Sequence, residues 1–171
     1  MIDTGYVRLM ARYGTWQNES LIAAADTLDG DARRLGRGAF FGSIENTLNH
    51  LLWGDRIWLS RFSDSPPPEG GIAASVSLAP DWSSYKAERR ETDAAITSWA
   101  SAITDRDLQG DLAWHSGAIG QEIVRPVALL VVHLFNHQTH HRGQVHAMLT
   151  AAGARPEATD LPFMPGLGRT A

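Results

Sequence analysis

Apolar residues recur at three- and four-residue steps in four stretches of the chain, which is the spacing of one buried helical face. This pattern predicts four long helices, over residues 3–28, 43–63, 81–103 and 127–152. Ser43 and Asp81 stand where helices are expected to start, and Gly153 is well placed to end the last one. Four long helices in 171 residues predict an all-α fold, a four-helix bundle formed by a single domain over residues 1–171.

The segments that connect these helices lack helical periodicity. "SDSPPPEGG", residues 63–71, contains three consecutive prolines and then two glycines, so we expect an exposed loop there. Between residues 104 and 125, "DLAWHSG" and "GQEIV" flank a glycine-containing turn, which indicates a short hairpin inserted before the last helix. The tail, residues 154–171, is expected to be irregular chain laid over the bundle.

The composition limits the chemistry open to the chain. The absence of cysteine excludes disulfides, thiolate zinc sites and cysteine nucleophiles, so a metal would need histidine, carboxylate or water ligands. A formal net charge of -4, with 15 Lys and Arg residues scattered along the chain, argues against nucleic acid as a partner. No run approaches the roughly 18 apolar residues of a membrane span, and "MIDTGYVRLMARYGTW" lacks the pattern of a signal peptide. We therefore expect a soluble, cytoplasmic protein with no membrane partner.

Five of the seven histidines fall within residues 133–146, inside the last predicted helix. At about 100° per residue, His137 and His141 lie at or beside the apolar face of that helix. The same rotation points Arg142 towards solvent and His146 towards the far side. Buried imidazoles need partners, and a divalent cation satisfies two of them when they are four residues apart. Two hydrogen-bonded core histidines are, however, the more frequent explanation of such a pair.

A stable metal site needs a third ligand, which in a bundle should come from the inward face of another helix. His50 is the best candidate, because it lies in the apolar segment "TLNHLLWGD" and is the only histidine before position 115. His115, in the predicted hairpin, is the weaker alternative. His133 is expected to hydrogen-bond within the bundle, because ligands on three successive turns of one helix would span about 12 Å. The residues alone leave open whether His133 or His115 joins the site.

Three segments together resemble a known family. They are "NHQTHHRGQV" on the last predicted helix, "LNHLLWGDRIWLSRF" on the second and "WQNESLIAA" on the first. They are similar to the DinB family of the DinB/YfiT superfamily, and the resemblance covers essentially the whole chain. It implies a bundle with three metal ligands, which fall on His50, His137 and His141. Some relatives, such as the mycothiol-dependent maleylpyruvate isomerase, have a glutamate at the position of His137, so the site implied here is all-imidazole.

The implied site is typical of a catalytic centre. Three neutral imidazoles leave a coordination position open, and both zinc and nickel suit nitrogen ligands. The resemblance implies a metal-dependent enzyme, either a thiol-dependent S-transferase or isomerase or a hydrolase. Its substrate would be a small molecule, with a low-molecular-weight thiol as a candidate. No catalytic residue can be assigned, and the side chains that could orient the ligands are equally explained as ordinary polar residues of the helix: Asn136, His140 and Gln144.

A second interpretation is a non-enzymatic, metal-binding stress-response protein, in which the ion stabilises the bundle. The family name denotes damage-inducible expression, which concerns when a protein is made and not what it does. Members of the family are commonly homodimers, so a homodimer is expected here as well.

The tryptophans divide into two groups. Four of the six fall within predicted helices and are expected in the core, namely Trp53, Trp58, Trp82 and Trp99. Trp16 and Trp114 are the candidates for lining a pocket, because ligand pockets are largely apolar.

Overall fold

The computed structural model describes residues 1–167, and most of these residues are helical. The α-helices of this range are α1 (Thr4–Asp26), α2 (Gly30–Arg34), α3 (Ile44–Phe62), α4 (Trp82–Ala102) and α5 (Val127–Ala151). The predicted caps are present: the Ser43 side chain accepts the N–H of Asn46 at 3.2 Å, and Asp81 accepts that of Ser84 at 2.8 Å. Gly153, with a φ of 86°, follows the last turn of α5. The mostly helical fold is therefore confirmed.

A two-stranded antiparallel sheet precedes α5, as predicted. It consists of β1 (Asp111–Ser116) and β2 (Gln121–Pro126), with Trp114 opposite Ile123. Gly120 adopts a φ of 66° in the connecting turn, a conformation that glycine adopts without strain. The expected hairpin is therefore confirmed as an insertion between α4 and α5.

Three helical segments were not predicted from the sequence: α2, a 3-10 helix over Ile72–Ser77 and a 3-10 turn over Leu161–Phe163. All three are too short to show a clear apolar period, and the 3-10 helix over Ile72–Ser77 follows directly on the proline- and glycine-rich loop. The 3-10 helix packs against α3, so it places side chains beside that helix.

The long helices pack around a shared apolar core. Helix α3 lies against α5 and also contacts α4, while α1 contacts both α4 and α5. The core includes buried residues from all four, for example Leu21, Leu52, Tyr85 and Leu149. Within residues 1–167, none of the helices is both long and apolar enough to cross a membrane. The contact between α3 and α5 joins the two helices that carry the predicted metal ligands.

A set of polar side chains, which we call the ionic network, crosses the core from α1 to α5. Arg89 is fully buried and donates to Asp55 at 2.6 Å, and its second amino group lies 2.8 Å from Asp93. Gln138 donates to the other oxygen of Asp55 at 2.9 Å, and Asn18 donates to Asp93 at 2.9 Å. Burial disfavours the charged guanidinium, but Asp93 and Asp55 together hold the pKa of Arg89 above its ordinary value.

The prediction that Arg142 points to solvent is wrong. Only 5% of this residue is exposed, and its guanidinium lies 5.4 Å from the centre of the Tyr13 ring. The helical wheel assumed one apolar stripe, whereas α5 packs against α3 and also against α1. A helix enclosed on two sides buries polar positions that a single stripe assigns to solvent.

The irregular segments are located as expected. Residues 63–71 contain no helix or strand and are largely exposed. The C-terminal tail runs along α1, where Tyr13 donates to the Thr159 carbonyl at 2.7 Å and Gln17 donates to that of Ala158 at 3.0 Å. A 3-10 turn over Leu161–Phe163 is its only helical part among the described residues. The last part of the predicted tail, residues 168–171, lies outside the described residues.

Candidate metal centre

Helices α3 and α5 bring three histidines together. His50 lies on α3, and His137 and His141 lie one turn apart on α5. One ring nitrogen of each lies within 4.8 Å of the others, an arrangement that could hold a metal ion. His50 and His141 are only 6% and 7% exposed, and His137 is half-buried. We call these residues the three-histidine cluster; they are the ones that the sequence singled out.

Ser75 determines which nitrogen of His50 carries the proton. The Ser75 hydroxyl donates its hydrogen to the carbonyl of Ile72 at 2.6 Å, so its oxygen can only accept from Nδ1 of His50, which lies 2.8 Å away. The proton of His50 therefore sits on Nδ1, and Nε2 presents a lone pair to the cluster.

Gln144 does the same for His141. Its side-chain oxygen accepts the N–H of Nδ1 at 2.8 Å, while its amide nitrogen lies 3.2 Å from Nε2 of His140 and donates to it. The lone pair of His141 is thus also on Nε2. Two of the residues considered as orienting groups, Gln144 and His140, do contact the cluster, whereas the exposed side chain of Asn136 makes no hydrogen bond among the described residues.

The third imidazole is left without a full set of partners. Nε2 of His137 lies 3.2 Å from Nε2 of His50, where His50 offers a lone pair. Nδ1 of His137 is buried and has no hydrogen-bond partner in the described part of the chain. Gly54 of α3 makes room for this ring, because a Cβ at that position would lie 2.6 Å from Cε1 of His137.

The cluster is electrically neutral over a wide pH range. Burial and the neighbouring His141 lower the pKa of His50 to about 4. Burial, followed by His141 and His50, lowers the pKa of His137 to about 3. Burial also lowers the pKa of His141, although its bond to Gln144 opposes the shift. At neutral pH the three rings are therefore unprotonated bases, which is the form that binds metals.

These residues fit a divalent metal ion. In a tetrahedral site with metal–nitrogen distances of 2.0–2.1 Å, two ligand nitrogens lie about 3.3–3.4 Å apart. The Nε2 atoms of His50 and His137 are 3.2 Å apart, which is close to that edge. A buried ring nitrogen without a partner, such as Nδ1 of His137, is unfavourable unless the cluster binds a ligand. Ser75 and Gln144 accept hydrogen bonds from the outer nitrogens, as the supporting residues of metal-bound histidines do.

The remaining histidines stay outside the cluster. His115 is exposed on the hairpin and lies 3.1 Å from Glu122. His133 is exposed and packs edge-on against Trp58, with 5.0 Å between ring centroids; the hydrogen bond expected for it is absent within residues 1–167. His146 lines a different cavity, whose wall also includes Tyr13 of α1.

A cleft of about 770 Å³ opens beside the cluster, and we call it the aromatic cleft. His50 and His137 form part of its wall, and Trp53, Trp58 and Trp114 provide most of its aromatic surface. The volume lies within the usual range for small-molecule sites. Trp114 thus lines a pocket as the sequence indicated, but Trp53 and Trp58, which were expected only in the core, line it as well.

Sequence reasoning missed three residues that shape the cluster: Phe41, Gly54 and Ser75. The Phe41 ring stacks on His50 with 3.9 Å between ring centroids, and it lies 5.5 Å from His141. A glycine inside the apolar pattern of α3 was the one available signal, because such a glycine usually reflects close packing. Phe41 lies in a turn and Ser75 in a short 3-10 helix, and neither segment has a periodicity that indicates what a side chain will face.

Comparison with known proteins bears on these observations. A protein-family model described as the DinB family matches residues 1–167, nearly the whole chain. The comparison with curated proteins gives no match. The matched range contains α3, α5 and the whole three-histidine cluster. The chain belongs to the DinB family.

Proposed function

We propose that this protein binds one divalent metal ion through His50, His137 and His141 and uses it to transform a small molecule. The observation that carries the proposal is the chemistry of the donor set. Ser75 and Gln144 hold two of the rings with Nε2 lone pairs directed inwards, and the third ring is short of partners. Zinc and nickel are the metals that best suit such nitrogen ligands.

The aromatic cleft supports a catalytic role for the ion. His50 and His137 line both the cluster and the cleft, so a molecule in the cleft would meet the metal directly. A bound zinc or nickel ion would act as a Lewis acid and lower the pKa of a thiol or a water molecule. The chain's own contribution is to orient the imidazoles and to surround the reacting groups with aromatic rings. A thiol-dependent transferase or isomerase, or a hydrolase, is the reaction class we propose.

A structural ion is the second candidate, and one observation favours it. Phe41 stacks on His50 and approaches His141, so it covers part of the cluster. In this alternative the ion would stabilise the helix packing, and the protein would act in a stress response without catalysis.

We also propose that the long helices form a four-helix bundle of the DinB/YfiT type, in one domain over residues 1–171. The contacts of α3 with α4 and α5, and of α1 with α4 and α5, support this architecture. The homodimer and the cytoplasmic location stay predictions from the resemblance and the composition.

The test is to load the metal-free protein with zinc or nickel and to assay turnover. Thiol addition to a panel of electrophiles and hydrolysis of small esters and amides should be measured side by side. We expect metal-dependent turnover that His50→Ala abolishes and that His146→Ala, a change outside the cluster, retains. Metal binding without metal-dependent turnover of any substrate would favour the structural alternative, and absence of metal binding would contradict both.

A further inference from the structure

The aromatic cleft contains one fixed positive charge, the guanidinium of Arg61, which forms no ion pair with the described residues. Arg61 lies in the last turn of α3, with its guanidinium 4.3 Å from the centre of the Trp58 ring and 5.4 Å from that of Trp114. Within residues 1–167, no Asp or Glu oxygen lies within 4.0 Å of it. Burial lowers the pKa of Arg61, and no carboxylate opposes that effect. The guanidinium is thus half-buried against two indoles and forms no ion pair with the described residues.

Other arginines of the same region are paired. Arg56, also on α3, lies 2.6 Å from Glu88, and Arg89 contacts two carboxylates of the ionic network. Taking a guanidinium partly out of water is unfavourable unless an anion or hydrogen-bond acceptors compensate. Arg61 therefore differs from these two arginines, because it is partly buried and has no carboxylate within 4.0 Å among the described residues.

The walls of the cleft add a second observation. The described residues that line it include no Asp or Glu, although the whole chain carries a formal charge of -4. Arg61 is the only Arg or Lys among these lining residues. The cleft therefore excludes negative side chains and retains one cation, which is the arrangement that attracts an anionic ligand.

Arg61 and the three-histidine cluster are joined by a continuous row of rings. The guanidinium lies over Trp58, the Trp58 ring is 5.0 Å from His133, and the His133 ring is 6.0 Å from His137. A molecule lying along this row would have an apolar surface under its body, the cluster at one end and a positive charge at the other.

We propose that the aromatic cleft binds a small carboxylic acid with an aromatic or otherwise apolar body, its carboxylate on Arg61 and its reactive end at the three-histidine cluster. A planar guanidinium can bind a carboxylate through two parallel hydrogen bonds, and stacking on indoles leaves its N–H edge free to do so. One guanidinium matches one negative charge, so a carboxylate fits better than a phosphate dianion. The reactive end rests on the proposed function, whereas the carboxylate contact does not.

The test uses 3-phenylpropanoate and its neutral amide as probes, titrated against the intact protein while tryptophan fluorescence is recorded. Zinc-loaded and metal-free samples should be compared. We expect the acid to bind about 10- to 100-fold more tightly than the amide in both samples, which is the usual effect of hydrogen bonds to a charged group. Arg61→Gln should remove this preference, and Arg61→Lys should keep only part of it, because an ammonium cannot form the two-point contact.

Arg155→Gln is the matched control, because it removes the same charge from an exposed residue just after α5 and should leave the preference intact. Circular dichroism would verify that each variant is folded. Equal binding of acid and amide, no binding of either, or an undiminished preference in Arg61→Gln would overturn the proposal. Acid binding that needs zinc and ignores Arg61 would overturn it too, while supporting an open metal site. Arg61-dependent binding without metal-dependent turnover would uphold the carboxylate contact and refute the catalytic role.

Discussion

Two groups of polar side chains lie buried between the long helices, and they differ in the partners that each finds inside the protein. In the ionic network, the Arg89 guanidinium is matched by Asp55 and Asp93, and the amides of Gln138 and Asn18 donate to the same carboxylates. The three-histidine cluster contains no opposite charge at all, and its ring nitrogens converge on one another. In the network the carboxylates and the guanidinium pair with one another, although Nε of Arg89 and Oδ1 of Asn18 have no hydrogen-bond partner among the described residues. The cluster has no charged partner at all within that part of the chain. Burial of polar groups therefore identifies a binding site only where the partners inside the protein fall short.

The largest effect is expected from breaking the network. Arg89→Leu would remove the guanidinium that contacts both buried carboxylates, and we expect the free energy of unfolding to fall by about 3–5 kcal/mol. Urea denaturation of the metal-free protein would measure it. The matched control is Arg56→Leu, which removes an arginine from a partly exposed pair with Glu88 and should cost about 1 kcal/mol or less. Equal losses in the two variants would show that the network is not distinguished by its burial.

A smaller effect is expected from loosening the support of the cluster. Ser75→Ala removes the acceptor of the His50 Nδ1 proton, so the ring loses its fixed orientation. We expect zinc affinity to fall about 10- to 100-fold, the usual effect of losing such a supporting bond. Competition with a chromophoric chelator would measure it. Ser77→Ala, in the same 3-10 helix but exposed, is the control; an equal loss in that variant would argue against a role for the Ser75 contact.

Acid should act on the cluster in a defined direction. His137 has a pKa of about 3 in the folded chain, whereas an unperturbed histidine in the unfolded chain has a pKa of about 6.5. Between these two pH values the ring is protonated only in the unfolded state. The unfolded state then binds more protons, so the stability of the metal-free protein is fully present above about pH 6.5 and is lost as the pH falls towards 3. From pH 7 to pH 5 this residue should account for roughly 2 kcal/mol. In urea denaturation, His137→Gln should reduce the fall in unfolding free energy between pH 7 and pH 5 by that amount. An unchanged pH dependence would contradict the burial of a neutral His137 ring.

The smallest effect concerns the space around His137. In Gly54→Ala the new Cβ would lie 2.6 Å from Cε1, so the ring would have to rotate. Moving a side chain off its preferred rotamer costs about 0.5–1.5 kcal/mol, which corresponds to roughly a 2- to 13-fold loss of zinc affinity. Isothermal titration calorimetry would measure it. Gly143→Ala on α5, where a Cβ meets nothing within 4 Å, should leave the affinity unchanged; a similar loss there would point to a general effect on the helices.

Much of the fold could be predicted because the long helices carry regular apolar periods and their ends carry recognisable caps. Ser43, Asp81 and Gly153 each occupy the end that the sequence assigned to them. The 3-10 helix over Ile72–Ser77 could not be predicted, since two turns of small residues show no period. Arg142 was misplaced because the wheel of one helix contains no information on how many neighbours enclose it.

In the candidate site, too, the histidines on the long helices could be predicted, and the side chains whose surroundings depend on tertiary packing could not. His137 and His141 followed from their spacing on one helix, and His50 from its apolar surroundings on another. Gln144, which orients His141, lies on the same helix and was already a candidate. Ser75, which orients His50, comes from a segment whose path depends on tertiary packing. Arg61 was not singled out either, because a charged residue near a helix end is usually solvated, and only the fold shows that tryptophans enclose it.

The most direct test of the central claim is a crystal structure of the zinc-loaded protein, with anomalous scattering recorded at the zinc absorption edge. We predict a single strong anomalous peak from one zinc ion that is coordinated by ring nitrogens of His50, His137 and His141. At least one further coordination position should be taken by water and face the aromatic cleft. A peak at other residues, or a fourth protein ligand that closes the coordination sphere, would contradict the proposed open metal site.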